Sequence, residues 1–95
     1  MGLLWEHRAI RYWRDKRGHE VDFVFAARGR PPVTIECKAA SANFNASSLA
    51  AFRRAHPGGT NFAVTTDTKR PFAEKHSGLR VEFLGREDLI RRLTP

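Results

Sequence analysis

Two neighbouring apolar runs constrain the fold of this chain more than any other feature. They cover residues 20–25 and 33–38, and in both runs β-branched or aromatic residues alternate with polar ones. This period of two predicts β-strands, and the Gly- and Pro-rich segment 28–32 predicts a hairpin loop between them. Strict alternation gives the first strand two faces: Val21, Phe23 and Phe25 form an apolar face, and Asp22 and Val24 lie on the other.

Three ionisable residues lie on these strands at positions that should bring them together. Glu36 and Lys38 share one face of the second strand, Cys37 lies on its apolar face, and Asp22 lies on the neighbouring strand. Buried strands rarely hold unpaired carboxylates, so the two acids suit a hard cation such as Mg²⁺ or Mn²⁺. The backbone carbonyl of Cys37 is a third candidate ligand, and Lys38 is placed to orient or deprotonate a water or to stabilise developing charge. The alternative is a structural ion pair in which Lys38 bridges both acids.

The remaining pattern predicts one α/β domain over residues 1–95. A strand–helix–strand sequence implies a parallel crossover. We therefore expect a central mixed sheet of four to five strands, a β-meander followed by a parallel crossover, flanked by helices. The expected strands are 10–14, 20–25, 33–38, 61–66 and 80–84; the expected helices are 46–55 and 85–93, with one further helical turn at 72–76.

Composition limits the environment and the partners. No apolar run approaches the roughly 18 residues that span a bilayer, so no membrane partner is expected. The N-terminus lacks the features of a secretory signal, and a single cysteine excludes an internal disulfide, which together favour the cytoplasm. The net charge of +7 favours a polyanionic partner over a merely solvated basic surface. The cations fall in clusters: Arg8, Arg11, Arg14, Lys16 and Arg17, then Arg53–Arg54, Lys69–Arg70 and Arg91–Arg92.

The turn before the first acidic strand supplies the candidate phosphate contacts. Arg14, Lys16 and Arg17 lie there, and a hydrated turn is the competing interpretation. Glu20 is expected to be a solvated residue at the start of the strand or a partner of Arg14. A role as an outer carboxylate of the site is the less favoured interpretation. Three aromatic residues and one thiol are expected in the core rather than in contact with a ligand: Trp5, Tyr12, Trp13 and Cys37.

Residues 12–24, YWRDKRGHEVDFV, together with Glu36-Cys37-Lys38, resemble a known family. The D…ExK spacing resembles the restriction-endonuclease-like, or PD-(D/E)XK, superfamily. The longer run is similar to the C-terminal nuclease-like domain of a family of bacterial and archaeal AAA-type ATPases. The resemblance implies a restriction-endonuclease-like fold and Mg²⁺-dependent hydrolysis of DNA phosphodiester bonds, with Asp22, Glu36 and Lys38 as catalytic residues.

Two departures from that family leave alternatives open. The family's first helix carries a glutamate, to which Glu6 can be matched as a further catalytic residue, but the helix is expected to be shortened here. The ATPase is not part of this chain, so an ATPase supplied elsewhere and a homodimer are the expected protein partners. The alternative function is a non-catalytic nucleic-acid-binding, regulatory or oligomerisation module that keeps the nuclease fold.

Overall fold

A computed structural model describes residues 8–27 and 29–94; the side chains of Arg8, Ala9 and Ala27 are not described. The expected first helix and Glu6 lie outside the described residues. The described part forms, in chain order, β1 (Arg8–Arg14), β2 (Glu20–Ala27), β3 (Val33–Lys38), a 3₁₀ turn (Ser41–Asn43), α1 (Ser47–Ala55), β4 (Asn61–Thr65), β5 (Phe72–His76), β6 (Leu79–Leu84) and α2 (Arg86–Leu93).

The strands of the described residues form one mixed sheet of six in the order β1-β2-β3-β4-β6-β5. The first three strands are an antiparallel meander, and β3, β4 and β6 run parallel to one another. The connection from β3 to β4 contains α1, because parallel neighbours need a crossover rather than a tight turn. The α/β class and the meander followed by a parallel crossover are therefore confirmed. No helix within residues 8–27 and 29–94 is long and apolar enough to cross a bilayer.

The two helices cover opposite faces of the sheet. Leu49 of α1 packs in one buried cluster with Ala63 of β4, whereas Leu93 of α2 packs in another with Phe62. Adjacent residues of a strand point to opposite faces, so α1 and α2 must lie on different sides. The side of α1 also buries Phe52, which makes an edge-to-face contact with Trp13 at 5.3 Å between ring centroids.

The sheet has one strand more than the sequence pattern predicts. Residues 72–76 form β5 rather than a helical turn, and they pair antiparallel with β6 at the edge of the sheet. The Phe72 ring stacks on Phe83 of β6 at 4.9 Å with the planes almost parallel. Because β5 is exposed and pairs on one side only, its sequence lacks the apolar alternation that marks a buried strand.

The ladder between β1 and β2 contains a bulge. Its register shifts by one residue between Arg11 and Trp13, so two residues of β2, Asp22 and Phe23, lie opposite the single Tyr12. A β-bulge bends its strand and re-aims the side chains beside it. The bulge in this protein lies at Asp22, the first acidic residue of the predicted site.

The bulge overturns the expected division of β2 into two faces. Val21 and Val24 both pack against Phe52 of α1, whereas Phe25 packs on the side of α2. Val21 therefore does not share a face with Phe25, because the inserted residue moves the strand out of phase by one position.

Arg53 of α1 is a buried structural residue and not a surface cation as its sequence cluster suggests. Its guanidinium donates hydrogen bonds to five acceptors, the Oδ1 of Asn61 and the carbonyl oxygens of Pro32, His56, Gly58 and Thr60. Asn61 Oδ1 also accepts a hydrogen bond of 2.9 Å from Thr34 Oγ1 of β3. This network fixes the end of α1 against the start of β3 and β4, and so sets the position of β3.

Candidate functional site

Glu36 is the central residue of the candidate site. It lies in β3 opposite Ala63 of β4, so its side chain enters the buried side of the sheet beneath α1. Only 5% of Glu36 is exposed, and its Oε2 has no hydrogen-bond partner among the described residues. The pKa of Glu36 is raised to about 7: burial is the main cause, the Lys38 charge opposes the rise, and the Asp22 charge adds to it. A carboxylate in this position calls for a proton or a cation.

Asp22 is held beside Glu36 by the backbone of β3. The N–H of Cys37 donates a 2.9 Å hydrogen bond to Asp22 Oδ2. The regular β2–β3 pairing ends at Phe23 and Ile35, and this side-chain bond connects the two strands just beyond that point. The bulge and this hydrogen bond together place the Asp22 carboxylate close enough to raise the pKa of Glu36.

Lys38 completes the predicted trio. It pairs in register with Thr65, two positions beyond the pair of Glu36 with Ala63, so Lys38 and Glu36 share a face of β3. Its charge acts on the pKa of Glu36, which shows that the two groups are near each other. None of the ion pairs among the described residues includes Lys38. The alternative of an ion pair bridging both acids is therefore not formed within the part of the chain that the structure describes.

The donor set fits a hard divalent cation. Asp22 and Glu36 supply carboxylate oxygens, which such cations prefer, and one buried oxygen of Glu36 is without a partner among the described residues. Residues 8–27 and 29–94 contain no group of three or more His, Cys, Asp and Glu side chains able to hold a metal, so further ligands would be waters or backbone carbonyls. Cys37, between the two side chains of β3, remains the candidate for such a carbonyl.

The thiol of Cys37 is exposed rather than part of the core. Partial burial and the carboxylates of Asp22 and Glu36 raise the pKa of the thiol, although Lys38 opposes this. A thiol with a raised pKa is a poor nucleophile at neutral pH. The side chain of Cys37 is therefore poorly suited to act as a nucleophile.

The predicted phosphate-contacting cations lie on the β1–β2 hairpin. Arg14, Lys16 and Arg17 are all exposed. Asp15 organises this turn, because its Oδ1 accepts hydrogen bonds of 2.9 Å from the N–H groups of Arg17 and His19. Its Oδ2 lies 2.8 Å from His19 Nδ1. Desolvation alone would raise the pKa of Asp15, but these hydrogen bonds outweigh it and lower the pKa.

Two further expectations about neighbouring residues have mixed outcomes. Glu20 is exposed, as expected, and pairs in register with Arg14 without an ion pair among the described residues. Tyr12 is exposed instead of packing in the core, whereas Trp13 is half-buried against Phe52. Trp5 lies outside the described residues.

A basic depression of about 600 Å³ lies at the carboxyl ends of the parallel strands, and the sequence pattern did not identify it. It is lined by Lys38, the threonines that follow β4, and Arg86 at the start of α2. In α/β sheets, ligands bind outside the carboxyl ends of parallel strands. The depression could not be identified from the sequence without the strand order, because Lys38 and Arg86 are far apart in the chain and only the sheet brings them together.

The fold and the site define an α/β domain with a mixed sheet and two close carboxylates beside a lysine. Residues 3–83 match the model of a family described as a domain of unknown function, DUF4143, and the protein belongs to this family. No curated protein and no solved structure matches the chain significantly.

Proposed function

We propose that this protein is a restriction-endonuclease-like domain of the PD-(D/E)XK type that binds DNA and hydrolyses its phosphodiester bonds. Mg²⁺ or Mn²⁺ would be held by Asp22, Glu36 and the Cys37 carbonyl, with Lys38 assisting. The proposal rests on the resemblance of residues 12–38 to that superfamily and on one observation in the structure. That observation is the buried Glu36 oxygen, which lies near a second acid and a lysine; among the described residues the oxygen has no hydrogen-bond partner and the lysine forms no ion pair.

This arrangement has a physical cost that a purely structural role does not explain. A buried carboxylate without hydrogen bonds destabilises a folded protein, so such groups occur mainly at functional sites. Lys38 lies on the same face of β3 but forms no ion pair that would offset this cost among the described residues. Both groups are therefore available to a ligand.

Each residue has a defined role in the proposed reaction. When bound, the divalent cation supplies a Lewis acid that lowers the negative charge on the phosphate. Glu36 and Asp22 would hold that cation through their carboxylate oxygens, and the Cys37 N–H fixes the orientation of Asp22. Lys38 orients the attacking water and stabilises the charge that develops on the phosphoryl oxygens. The attacking water loses a proton as its oxygen forms the new P–O bond, the bond to the leaving sugar oxygen breaks, and that oxygen takes up a proton, so the net change is the addition of one water molecule.

The exposed hairpin would provide the sequence-independent part of DNA binding. Arg14, Lys16 and Arg17 precede the strand that carries Asp22, so phosphates bound there would run toward the acids. The net charge of +7 supports attraction of a polyanion. We expect the logarithm of affinity to fall linearly with the logarithm of salt concentration.

The test is cleavage of supercoiled and single-stranded DNA with Mn²⁺ or with EDTA. We expect Lys38→Ala to slow cleavage by about 100-fold or more, which is the scale for loss of one charge-stabilising donor. Asp22→Ala should also remove cleavage. Lys75→Ala, which removes an exposed lysine from β5 at the far edge of the sheet, is the matched control. Cleavage by Lys38→Ala at the wild-type rate would refute the catalytic assignment.

A second function is favoured by a different observation. Ile10, Phe23 and Ile90 expose apolar surface beside one another, as an interaction surface does. The second candidate is thus a non-catalytic nucleic-acid-binding, regulatory or oligomerisation module, whose partner is a second copy or an ATPase supplied elsewhere. Binding of DNA without metal-dependent cleavage would select it. Association that persists at high salt would indicate the apolar surface rather than phosphate binding.

A further inference from the structure

An apolar groove lies on the α2 side of the sheet. Its cavity volume is about 420 Å³, within the roughly 300–1,000 Å³ of small-molecule sites. Three of its lining residues expose about half of their surface: Ile10 53%, Phe23 44% and Ile90 55%. Phe23 belongs to the bulge and directly follows Asp22, so the exposed ring lies next to the first acid of the candidate site.

This groove is continuous with the basic depression at the carboxyl ends of the strands. Cys37, Val64 and Arg86 line both, and we call the two together the composite groove. One half is apolar and contains the Phe23 ring, and the other contains Lys38 and Arg86. The N–H of Cys37, a residue that lines both halves, donates a hydrogen bond to Asp22, so the Asp22 carboxylate lies beside the point where the halves meet, whereas Glu36 points to the α1 side of the sheet.

We propose that the composite groove binds an unpaired nucleotide of a DNA strand, with its base against Phe23 and its phosphate at Lys38 and Arg86. This inference rests on the proposed function and adds the substrate class: single-stranded or frayed DNA rather than continuous duplex. A base within a duplex is already stacked and paired, so only an unpaired base can enter a side groove. Aromatic stacking accepts any base, because every base has a π face.

The charges that line the basic half of the groove are complementary to a phosphate. Arg86 is exposed and forms none of the ion pairs found among the described residues. Two acids, Glu87 and Asp88, lie in the first turn of α2, but neither lines the depression, and Asp88 is ion-paired with Arg91. The lining of the basic half therefore carries the two cations and no carboxylate.

The experiment measures DNA binding by the full chain in EDTA, where cleavage does not contribute. A fluorescein-labelled single-stranded oligonucleotide is compared with the blunt duplex of the same sequence by fluorescence anisotropy. We expect wild type to prefer the single strand and Phe23→Ala to weaken single-strand binding by about tenfold, within the range for one base on one aromatic ring. Duplex binding should change little, and Phe23→Trp should retain single-strand affinity.

Matched variants separate this effect from general damage. Phe72→Ala removes a ring that is 40% exposed on β5, at the far edge, and should leave both affinities unchanged. Arg86→Gln should weaken single-strand binding and reduce the salt slope by about 0.7, the value for one phosphate contact, whereas Arg54→Gln on α1 should not. A cooperative thermal unfolding transition, recorded for each variant, is the test that the variant is folded.

Three outcomes would overturn the inference. The Phe23→Ala variant could bind the single strand as tightly as wild type does, or it could lose equal affinity for the duplex and for the single strand. Wild type could also form a dimer that Phe23→Ala dissociates. The last outcome would assign the groove to self-association. Since binding is read in EDTA and cleavage in the Lys38→Ala assay, the failure of one proposal is distinguishable from the failure of the other.

Discussion

Replacing Glu36 by glutamine tests the physical basis of the site directly. The pKa of Glu36 is about 7 in the folded protein against 4.5 ordinarily. This difference corresponds to about 3 kcal/mol of unfolding free energy, since each pKa unit is worth about 1.4 kcal/mol. Glu36→Gln keeps the shape of the neutral acid but cannot ionise. We therefore expect the variant to be more stable than wild type above pH 7.

The sign of the pH dependence follows from the raised pKa. Below pH 4.5 Glu36 is protonated in both the folded and the unfolded chain. As pH rises to about 7, the unfolded chain loses the proton while the folded protein keeps it, so wild-type stability falls through this window. Above pH 7 the full difference of about 3 kcal/mol from Glu36→Gln should be present.

The assay is urea unfolding followed by circular dichroism across this pH range, with and without Mg²⁺. All other ionisable groups are common to both proteins, so the difference between the curves isolates Glu36. Glu87→Gln, which removes an exposed carboxylate, is the control and should follow wild type. Mg²⁺ at 100 times its dissociation constant should stabilise wild type by about 2.7 kcal/mol at pH 8, and Glu36→Gln much less. If the stability of wild type and of Glu36→Gln changed in parallel with pH, the conclusion that Glu36 is a buried carboxylate without a hydrogen-bond partner would be refuted.

Three further predictions concern the scaffold that positions the site. Gly59→Ala should cost about 3 kcal/mol of unfolding free energy, because φ at this residue is +112° and a Cβ would collide with the carbonyl oxygen of Pro32. Gly18→Ala is the comparison: Gly18 also has a positive φ but a Cβ there meets no neighbour, so the change should cost about 1 kcal/mol. Equal losses for the two glycines in urea unfolding would contradict the steric argument. Arg53→Lys should cost about 3 kcal/mol in the same assay, because lysine has three donors for five buried acceptors; a change within 0.5 kcal/mol, roughly the scale of an ordinary surface substitution, would show that the network contributes little. Asp15→Ala should speed amide hydrogen exchange in the β1–β2 turn, and its stability deficit should vanish as pH falls below 3.8, because the Asp15 pKa is lowered in the folded protein. A deficit that persists in acid would show that the carboxylate charge is not the cause.

Much of the fold could be predicted from periodicity. The predicted bounds of β3 are those observed, and the predicted β2, β4 and α1 differ from the observed elements by one or two residues at an end. These elements each bury one face, and burial imposes an apolar repeat that can be read locally. The edge strand β5 buries little and carries no such repeat, so only its pairing with β6 reveals it.

The candidate site was predictable as a set of residue types but not as an arrangement. Alternation put Glu36 and Lys38 on one face of β3, which the register with β4 confirms. The bulge at Asp22 and Phe23 was not predictable, because it depends on how β1 pairs with β2. The placement of Asp22 beside Cys37, and of Phe23 in the apolar groove, follows from that pairing.

The amino-acid sequence alone establishes which strands carry the acids and the lysine, because strand formation depends on neighbours in the chain, as does the face assignment of a strand without a bulge such as β3. Only the tertiary structure decided that Glu36 is buried with an oxygen unpartnered among the described residues, that Arg53 is structural, and that Arg86 lies near Lys38. The physical reason is that burial, hydrogen-bond partners and charge proximity depend on which distant segments are packed together. A local pattern contains no information about them.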